Sequence, residues 1–148
     1  MSVQTYSASK VVLSIGGYNV EGWDKITISP DMPTFRQING IRGKNARVRL
    51  QNTGATIKVE VPLTSVLNPI FYELVKLDAK QGTGRLEITV KDVMGWEIFS
   101  TTKAYVEAPA EAEFSEKIAS RVWTIRCLDS ERDKGSGWGV ASMFDSLF

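Results

Sequence analysis

The residues that could carry out catalysis are few, because this chain of 148 residues contains no histidine. That absence excludes serine and cysteine nucleophiles activated by histidine, and it removes nearly all zinc sites. Glu111 and Glu113 lie two positions apart, so an extended chain would place their carboxylates about 7 Å apart, within the range used in glycoside hydrolysis. A solvated acidic segment is the favoured interpretation of this pair. We therefore predict no enzyme and no catalytic residue.

Weaker chemical motifs point the same way. A Ser–Lys pair is possible in principle, but no serine lies within a recognisable motif. The run from Gly135 to Gly139 lacks the Gly-Lys-Ser/Thr of a phosphate-binding loop, and Trp138 stands where the backbone would approach a phosphate. We interpret this run as a flexible tether. The single cysteine, Cys127, suits a small buried apolar side chain. No metal and no cofactor is predicted.

Positive and negative charges are unevenly distributed along the chain, although the net charge is only +1. Between Met32 and Val59 there are basic residues but no acid, and the bases are Arg36, Arg42, Lys44, Arg47, Arg49 and Lys58. An acidic link follows later without any base, and its glutamates are Glu107, Glu111, Glu113 and Glu116. Phe35 is the one aromatic residue near the bases, whereas single-strand nucleic-acid binders alternate aromatics with charges. We expect the basic run of one subunit to contact the acidic link of another, head to tail.

Alternating apolar and polar residues predict roughly nine antiparallel strands and one helix, in a β-sandwich or barrel with the helix on its flank. The alternation is clearest at Thr56–Pro62 and at Arg85–Lys91, and each of these strands has one polar face. Apolar residues at helical spacing predict the helix at about 65–79. Asn68 is the expected N-cap, and Pro69 fits the first helical position.

The length fits one domain, which we place at residues 1–128, with an exposed arm at about 30–45. A glycine-rich tail follows at 129–148 and ends in a short amphipathic segment. The apolar residues of this tail either fold onto their own domain or clasp a neighbouring subunit or the sheath. We favour the clasp, because the preceding glycines give the tail reach. The candidate clasp residues are Trp138, Val140, Met143, Phe144 and Leu147. The sequence contains neither a secretory signal nor an apolar span, so we expect synthesis in a cytoplasm and no membrane partner.

Several of these features together resemble bacteriophage tail tube proteins. The resemblance rests on the opening Met1-Ser-Val-Gln-Thr-Tyr6, the hairpin from Val11 to Gly17, the middle helix after two alternating strands, and a closing motif made of Pro109, Phe114 and Arg121-Val-Trp-Thr-Ile-Arg-Cys127. It covers roughly residues 1–128. The same fold is shared by the tubes of contractile injection machines, including type VI secretion.

The resemblance implies a structural virion protein of the phage tail, assembled in the host cytoplasm. Six copies would close into a ring, and rings would stack into a hollow tube through which double-stranded DNA passes without sequence-specific binding. Further partners implied are the tail sheath, tape measure, baseplate and tail terminator proteins. A wall that lets DNA slide should be acidic or balanced in charge, and the lumen candidates are Lys58, Glu60, Arg85, Glu87 and Lys91.

The alternative hypothesis is a monomeric β-sandwich binding module for a carbohydrate or another virion protein. It requires an exposed aromatic platform built from Trp23, Trp96 or Trp123.

Overall fold

The computed structural model describes residues 10–82, 85–93 and 97–134, and these form nine strands and one helix. The elements in chain order are β1 Val11–Ile15, β2 Tyr18–Val20, β3 Lys25–Pro30, β4 Phe35–Asn39, β5 Asn45–Arg49, β6 Ala55–Val61, α1 Leu67–Gln81, β7 Leu86–Asp92, β8 Glu97–Val106 and β9 Arg121–Lys134. The predicted fold class, mainly β with one flanking helix, is confirmed.

Seven of the strands form a single antiparallel sheet in the order β2-β1-β7-β8-β9-β6-β3. Within the described residues the sheet is open, and its end strands β2 and β3 each pair on one side only. The long strand β9 lies between β6 and β8, with Val59 opposite Trp123 and Ala104 opposite Cys127. Alternate residues point to opposite faces of a sheet. One face therefore holds the apolar residues, and the other is mainly polar.

The core lies between the apolar face and α1. Trp123 is fully buried at the centre of this core. Its ring packs against the Phe71 ring in a tilted arrangement with 5.3 Å between centroids, and against the Tyr72 ring edge to face with 5.0 Å between centroids. Burial of such rings is the largest single apolar contribution a side chain can make. The helix thus covers the middle of the sheet, while its outer face stays in solvent.

The start of α1 corrects the predicted cap. The helix begins at Leu67, with Val66 at the N-cap position, and the Oγ of Ser65 accepts a hydrogen bond from the Leu67 N–H at 3.2 Å. Asn68 is buried in the first turn. Its amide nitrogen donates to the carbonyls of Pro62 (3.0 Å) and Leu63 (3.1 Å), and its Oδ1 accepts from the Trp123 indole N–H at 2.9 Å. Asn68 therefore fixes the helix start to the core instead of capping it.

Strands β4 and β5 form a separate two-stranded hairpin, Phe35–Arg49, in which every residue is exposed. Phe35 pairs with Arg49 and Asn39 with Asn45. The turn between them places Gly43 at φ 76°, a left-handed conformation that favours glycine. The arm predicted at about 30–45 overlaps the first strand and the turn of this hairpin, which continues to Arg49 because β5 pairs with β4.

The last described strand extends into the segment assigned from sequence to the tail. Strand β9 continues to Lys134, which pairs with Glu97 at the start of β8. The helix also ends two residues later than predicted, at Gln81, with Gly82 in a left-handed cap that donates to the Asp78 carbonyl. No helix among the described residues is long and apolar enough to cross a membrane.

Candidate assembly surfaces

The hairpin presents two different faces, which follow from its register. Phe35 and Gln37 share one face with Arg49 and Arg47, whereas Ile38 lies on the other face opposite Ala46. On the first face the guanidinium of Arg47 stacks over the Phe35 ring at 4.2 Å from its centroid. A shallow pocket there is lined by Phe35, Gln37, Asn45, Ala46 and Arg47.

All of the predicted basic candidates on this hairpin are exposed. None of them forms an ion pair with another described residue, and they are Arg36, Arg42, Lys44, Arg47 and Arg49. An isolated two-stranded hairpin is marginally stable in water. A surface that keeps this much positive charge and apolar area uncovered suits a contact with another molecule.

The acidic link lies in the loop between β8 and β9, outside any strand or helix. Glu111, Glu113 and Glu116 are exposed and have no ion-pair partner among the described residues. Phe114 lies among them and is 81% exposed, with the Arg121 guanidinium 5.9 Å from its ring centroid. The sequence analysis used Phe114 only as part of the family resemblance and did not predict it as a contact residue, although an aromatic residue between glutamates outside any predicted strand is a visible signal.

Glu107 differs from the other acidic candidates, because it has a partner in its own chain. Its carboxylate lies 3.3 Å from Nε of Arg126, and the same guanidinium donates to Oγ1 of Thr56 at 2.9 Å. Thr56 in turn donates to Asp31 at 2.7 Å. Arg126 thus connects the start of the acidic link with Asp31, the residue that leads from β3 into the hairpin. The sequence alone gave no sign of this bridge.

The hairpin and the later part of the acidic link are attached at opposite ends of the central strands. The hairpin is inserted between Pro30 and Ala55, which pair with each other at the start of β6. The loop carrying the acidic link rejoins the sheet at Arg121, which pairs with Val61 at the end of β6. Seven extended residues span about 20 Å. Phe114, close to Arg121, is therefore at the end of β6 opposite the hairpin, while Glu107 lies nearer the hairpin, beside Arg126.

The lumen candidates occupy the sheet face opposite the core. In β6 the candidates Lys58 and Glu60 alternate with buried apolar residues. In β7 the candidates Glu87 and Lys91 also alternate with buried apolar residues, and Arg85 directly precedes this strand. The buried neighbours are Ile57, Val59, Val61, Ile88 and Val90. Lys58, Arg85, Glu87 and Lys91 are exposed and Glu60 is partly covered. Lys25 lies opposite Glu60 across the strands. Bases and acids are therefore mixed on this face.

Other predicted positions divide into buried and undescribed residues. The C-terminal clasp candidates lie outside the described residues, as does Trp96. Trp123 is fully buried and Trp23 packs against the core. Neither tryptophan offers the open aromatic platform that the binding-module hypothesis requires.

Cys127 and the acidic groups show no sign of a reactive centre. Cys127 is 2% exposed, and burial raises the pKa of its thiol from 9.0 to about 11. At neutral pH it is a protonated apolar side chain. In the described part of the chain, no three His, Cys, Asp or Glu residues are grouped to hold a metal ion.

Comparison with known proteins gives one curated relative and several similar structures. The chain is 23% identical over 141 residues to "Structural protein ORF10" of Pseudomonas phage KPP10, covering 94% of this chain and 80% of that protein. No protein-family model matches the chain.

The similar solved structures come from contractile injection systems and a virus-like particle. A chain of the anti-feeding prophage cap, a tube-terminating cap, matches with a TM-score of 0.63 and 11% identity over 91% of this chain and 95% of that one. A chain of the sheath–tube complex of the PVC extracellular contractile injection system matches at 0.61 and 11% over 88% and 92%. A chain of the gene transfer agent virion matches at 0.59 and 10% over 89% and 100%. The resemblance stated from sequence is thus confirmed at the level of the fold, which this chain shares with components of phage-like tubes, caps and virions.

Proposed function

We propose that this protein is the subunit of a phage tail tube, a structural component of the virion, whose copies close into hexameric rings that stack around a channel for DNA. The observation that carries the proposal is a fold shared almost end to end with chains of tube-bearing particles. Similarity to a phage structural protein over 94% of the chain supports the same function.

The open sheet supports ring formation. Unpaired edge strands are a hazard for a soluble protein, because they offer hydrogen-bonding groups to any other strand. Here both end strands, β2 and β3, lack an outer partner among the described residues. Joining sheets around a ring would satisfy these edges, and a closed barrel of that kind leaves a water-filled bore.

The mixed-charge sheet face supports a lining for that bore. Lysine and arginine bind phosphates strongly unless other charges offset them. On this face Glu60 and Glu87 lie among Lys58, Arg85 and Lys91. This arrangement lowers the attraction for DNA that passes through. Contacts with sheath, tape measure, baseplate and terminator proteins would then involve the outer surface and the two ends of the tube.

Assembly of the purified protein tests the proposal. Negative-stain electron microscopy together with sedimentation should show rings or tubes with a central hole, while a monomeric binding module would sediment at 16.4 kDa at all concentrations. A lysine substitution at both Glu60 and Glu87 should leave rings intact but make them retain short duplex DNA at low salt. Rings that hold no more DNA than wild type would remove these residues from the lumen.

A further inference from the structure

The aromatic residue of the acidic link stays largely exposed in its own subunit, where its one described ring contact is the Arg121 guanidinium at 5.9 Å. Phe114 is 81% exposed, and Ile118, four residues on, is 75% exposed. Glutamates at 111, 113 and 116 surround Phe114 and have no ion-pair partner among the described residues. An exposed aromatic ring between acids is complementary in chemistry to a surface that is basic and has an apolar depression.

The hairpin is a surface of this kind. Its first face carries the pocket bounded by Phe35 and Arg47, and Arg49 shares that face. Arg42 and Lys44 lie in the turn of the same hairpin, and the sequence has no acid from Met32 to Val59. An arginine held flat on an aromatic ring offers both an apolar edge and fixed N–H donors for carboxylates. The pocket therefore offers an apolar surface to the Phe114 ring, and the bases of the hairpin offer opposite charges to the glutamates of the link.

The geometry requires that the two partners come from different subunits. The hairpin extends from the end of β6 that contains Ala55, whereas Phe114 lies close to Arg121, which pairs with Val61 at the other end. A second copy displaced along the strand direction would bring its acidic link to the hairpin of the first. The contact is heterologous, so each subunit uses its hairpin at one end and its link at the other, and the copies form a column.

We infer that Phe114, framed by Glu111, Glu113 and Glu116, docks into the Phe35–Arg47 pocket of a second copy of this chain and so joins one ring to the next. This inference rests on the proposed function and names the residues of its axial contact. Phe114 provides the apolar anchor, and the glutamates set the direction and register through the surrounding bases.

Replacement of the anchor tests the apolar part of the contact. Phe114→Ala should raise the protein concentration needed for tube assembly about tenfold or more, as expected from loss of one buried aromatic side chain. Phe114→Leu keeps an apolar side chain and should assemble at nearly the wild-type concentration. Because residue 114 is exposed, both variants should melt like wild type when monomeric. Equal assembly of the alanine and leucine variants would overturn the inference.

Charge reversal tests the partner and the direction. One variant carries Arg42→Glu, Lys44→Glu and Arg47→Glu, and a second carries Glu111→Lys, Glu113→Lys and Glu116→Lys. Each alone should fail to form tubes, because like charges then face each other. An equimolar mixture should form them again, since alternating copies restore opposite charges at every contact.

The outcomes separate this inference from the proposed function. A wild-type protein that never assembles removes the tube function itself. Wild-type tubes together with reversal variants that also assemble alone remove only the link-to-hairpin contact. A mixture that stays unassembled, although each variant is folded by circular dichroism, also refutes the contact.

Discussion

The buried hydrogen bonds of Asn68 give the sharpest test of how the helix is held on the sheet. Replacement by alanine removes three bonds, two donated to the carbonyls of Pro62 and Leu63 and one accepted from the Trp123 indole at 2.9 Å. The carbonyls are in partly buried residues and can be reached by water. The indole N–H belongs to a fully buried side chain and would be left without a partner.

The expected loss follows from these different surroundings. An unsatisfied buried donor costs about 1–3 kcal/mol, and each of the other two bonds contributes about 0.5–1 kcal/mol. We therefore expect Asn68→Ala to lower the free energy of unfolding by about 3 kcal/mol. For a domain of this size that corresponds to a melting temperature lower by roughly 6–12 °C.

A double-mutant cycle assigns the loss to the indole contact. Trp123→Phe removes the donor, so adding Asn68→Ala to it should cost about 1–2 kcal/mol less than Asn68→Ala costs in the wild type. Urea unfolding followed by far-UV circular dichroism, at a concentration where the protein is monomeric, measures each corner. Asn19→Ala on the exposed strand β2 is the matched control and should change stability by less than about 0.5 kcal/mol. If Asn68→Ala is as mild as this control, or the cycle shows additivity, the reasoning fails.

Three further predictions concern Cys127, Gly54 and Arg126. Burial raises the pKa of the Cys127 thiol to about 11, so the stability that the buried thiol provides should be complete below pH 9 and should decrease as the pH rises toward 11. A thiol reagent at pH 8 should label the native protein only as fast as the protein unfolds, and immediate labelling would contradict this. Gly54→Ala would place a methyl group 3.2 Å from the carbonyl oxygen of Cys127 and 2.9 Å from the Asp31 carboxylate, so we expect the free energy of unfolding to fall by about 1–3 kcal/mol. An unchanged melting temperature would show that the strands can move apart at this position. Arg126→Met should lower the free energy of unfolding by less than about 1 kcal/mol because the ion pairs of Arg126 are partly exposed, yet amide hydrogen exchange should accelerate in both the hairpin and the acidic link. Arg132→Met on the same strand is the control, and equal exchange rates in the two variants would show that Arg126 does not hold these two segments together.

Some of the structure was predictable because local pattern and final environment coincide. Strict alternation in β6 predicted which of its residues face the core, since a strand with one wet face has no other stable arrangement. The basic run could not be buried without acids nearby, so its exposure was predictable too. Strand β9 beyond Asp129 was not, because those polar residues extend the strand only through pairing with β8.

Other features depended on contacts between distant residues. Asn68 was interpreted as a helix cap because asparagine favours that position, but the same amide group can also satisfy a buried indole 55 positions away. Likewise, nothing in the sequence around Arg126 indicates that its guanidinium reaches both Glu107 and the Thr56–Asp31 pair. Local pattern therefore predicted the strands and surfaces, while the side-chain bridges required the fold.

The position of Arg126 also has a mechanical consequence. Its guanidinium ties the base of the hairpin to the root of the acidic link across the middle strands. In a column of copies held at hairpin and link, tension would pass through the paired strands between these two contacts, and the Arg126 bridge from Asp31 to Glu107 lies beside that path. Stretching such a filament would therefore pull the central strands in shear along their own axes, so that many inter-strand hydrogen bonds share the load at once, and would put little load on the short edge strand β2.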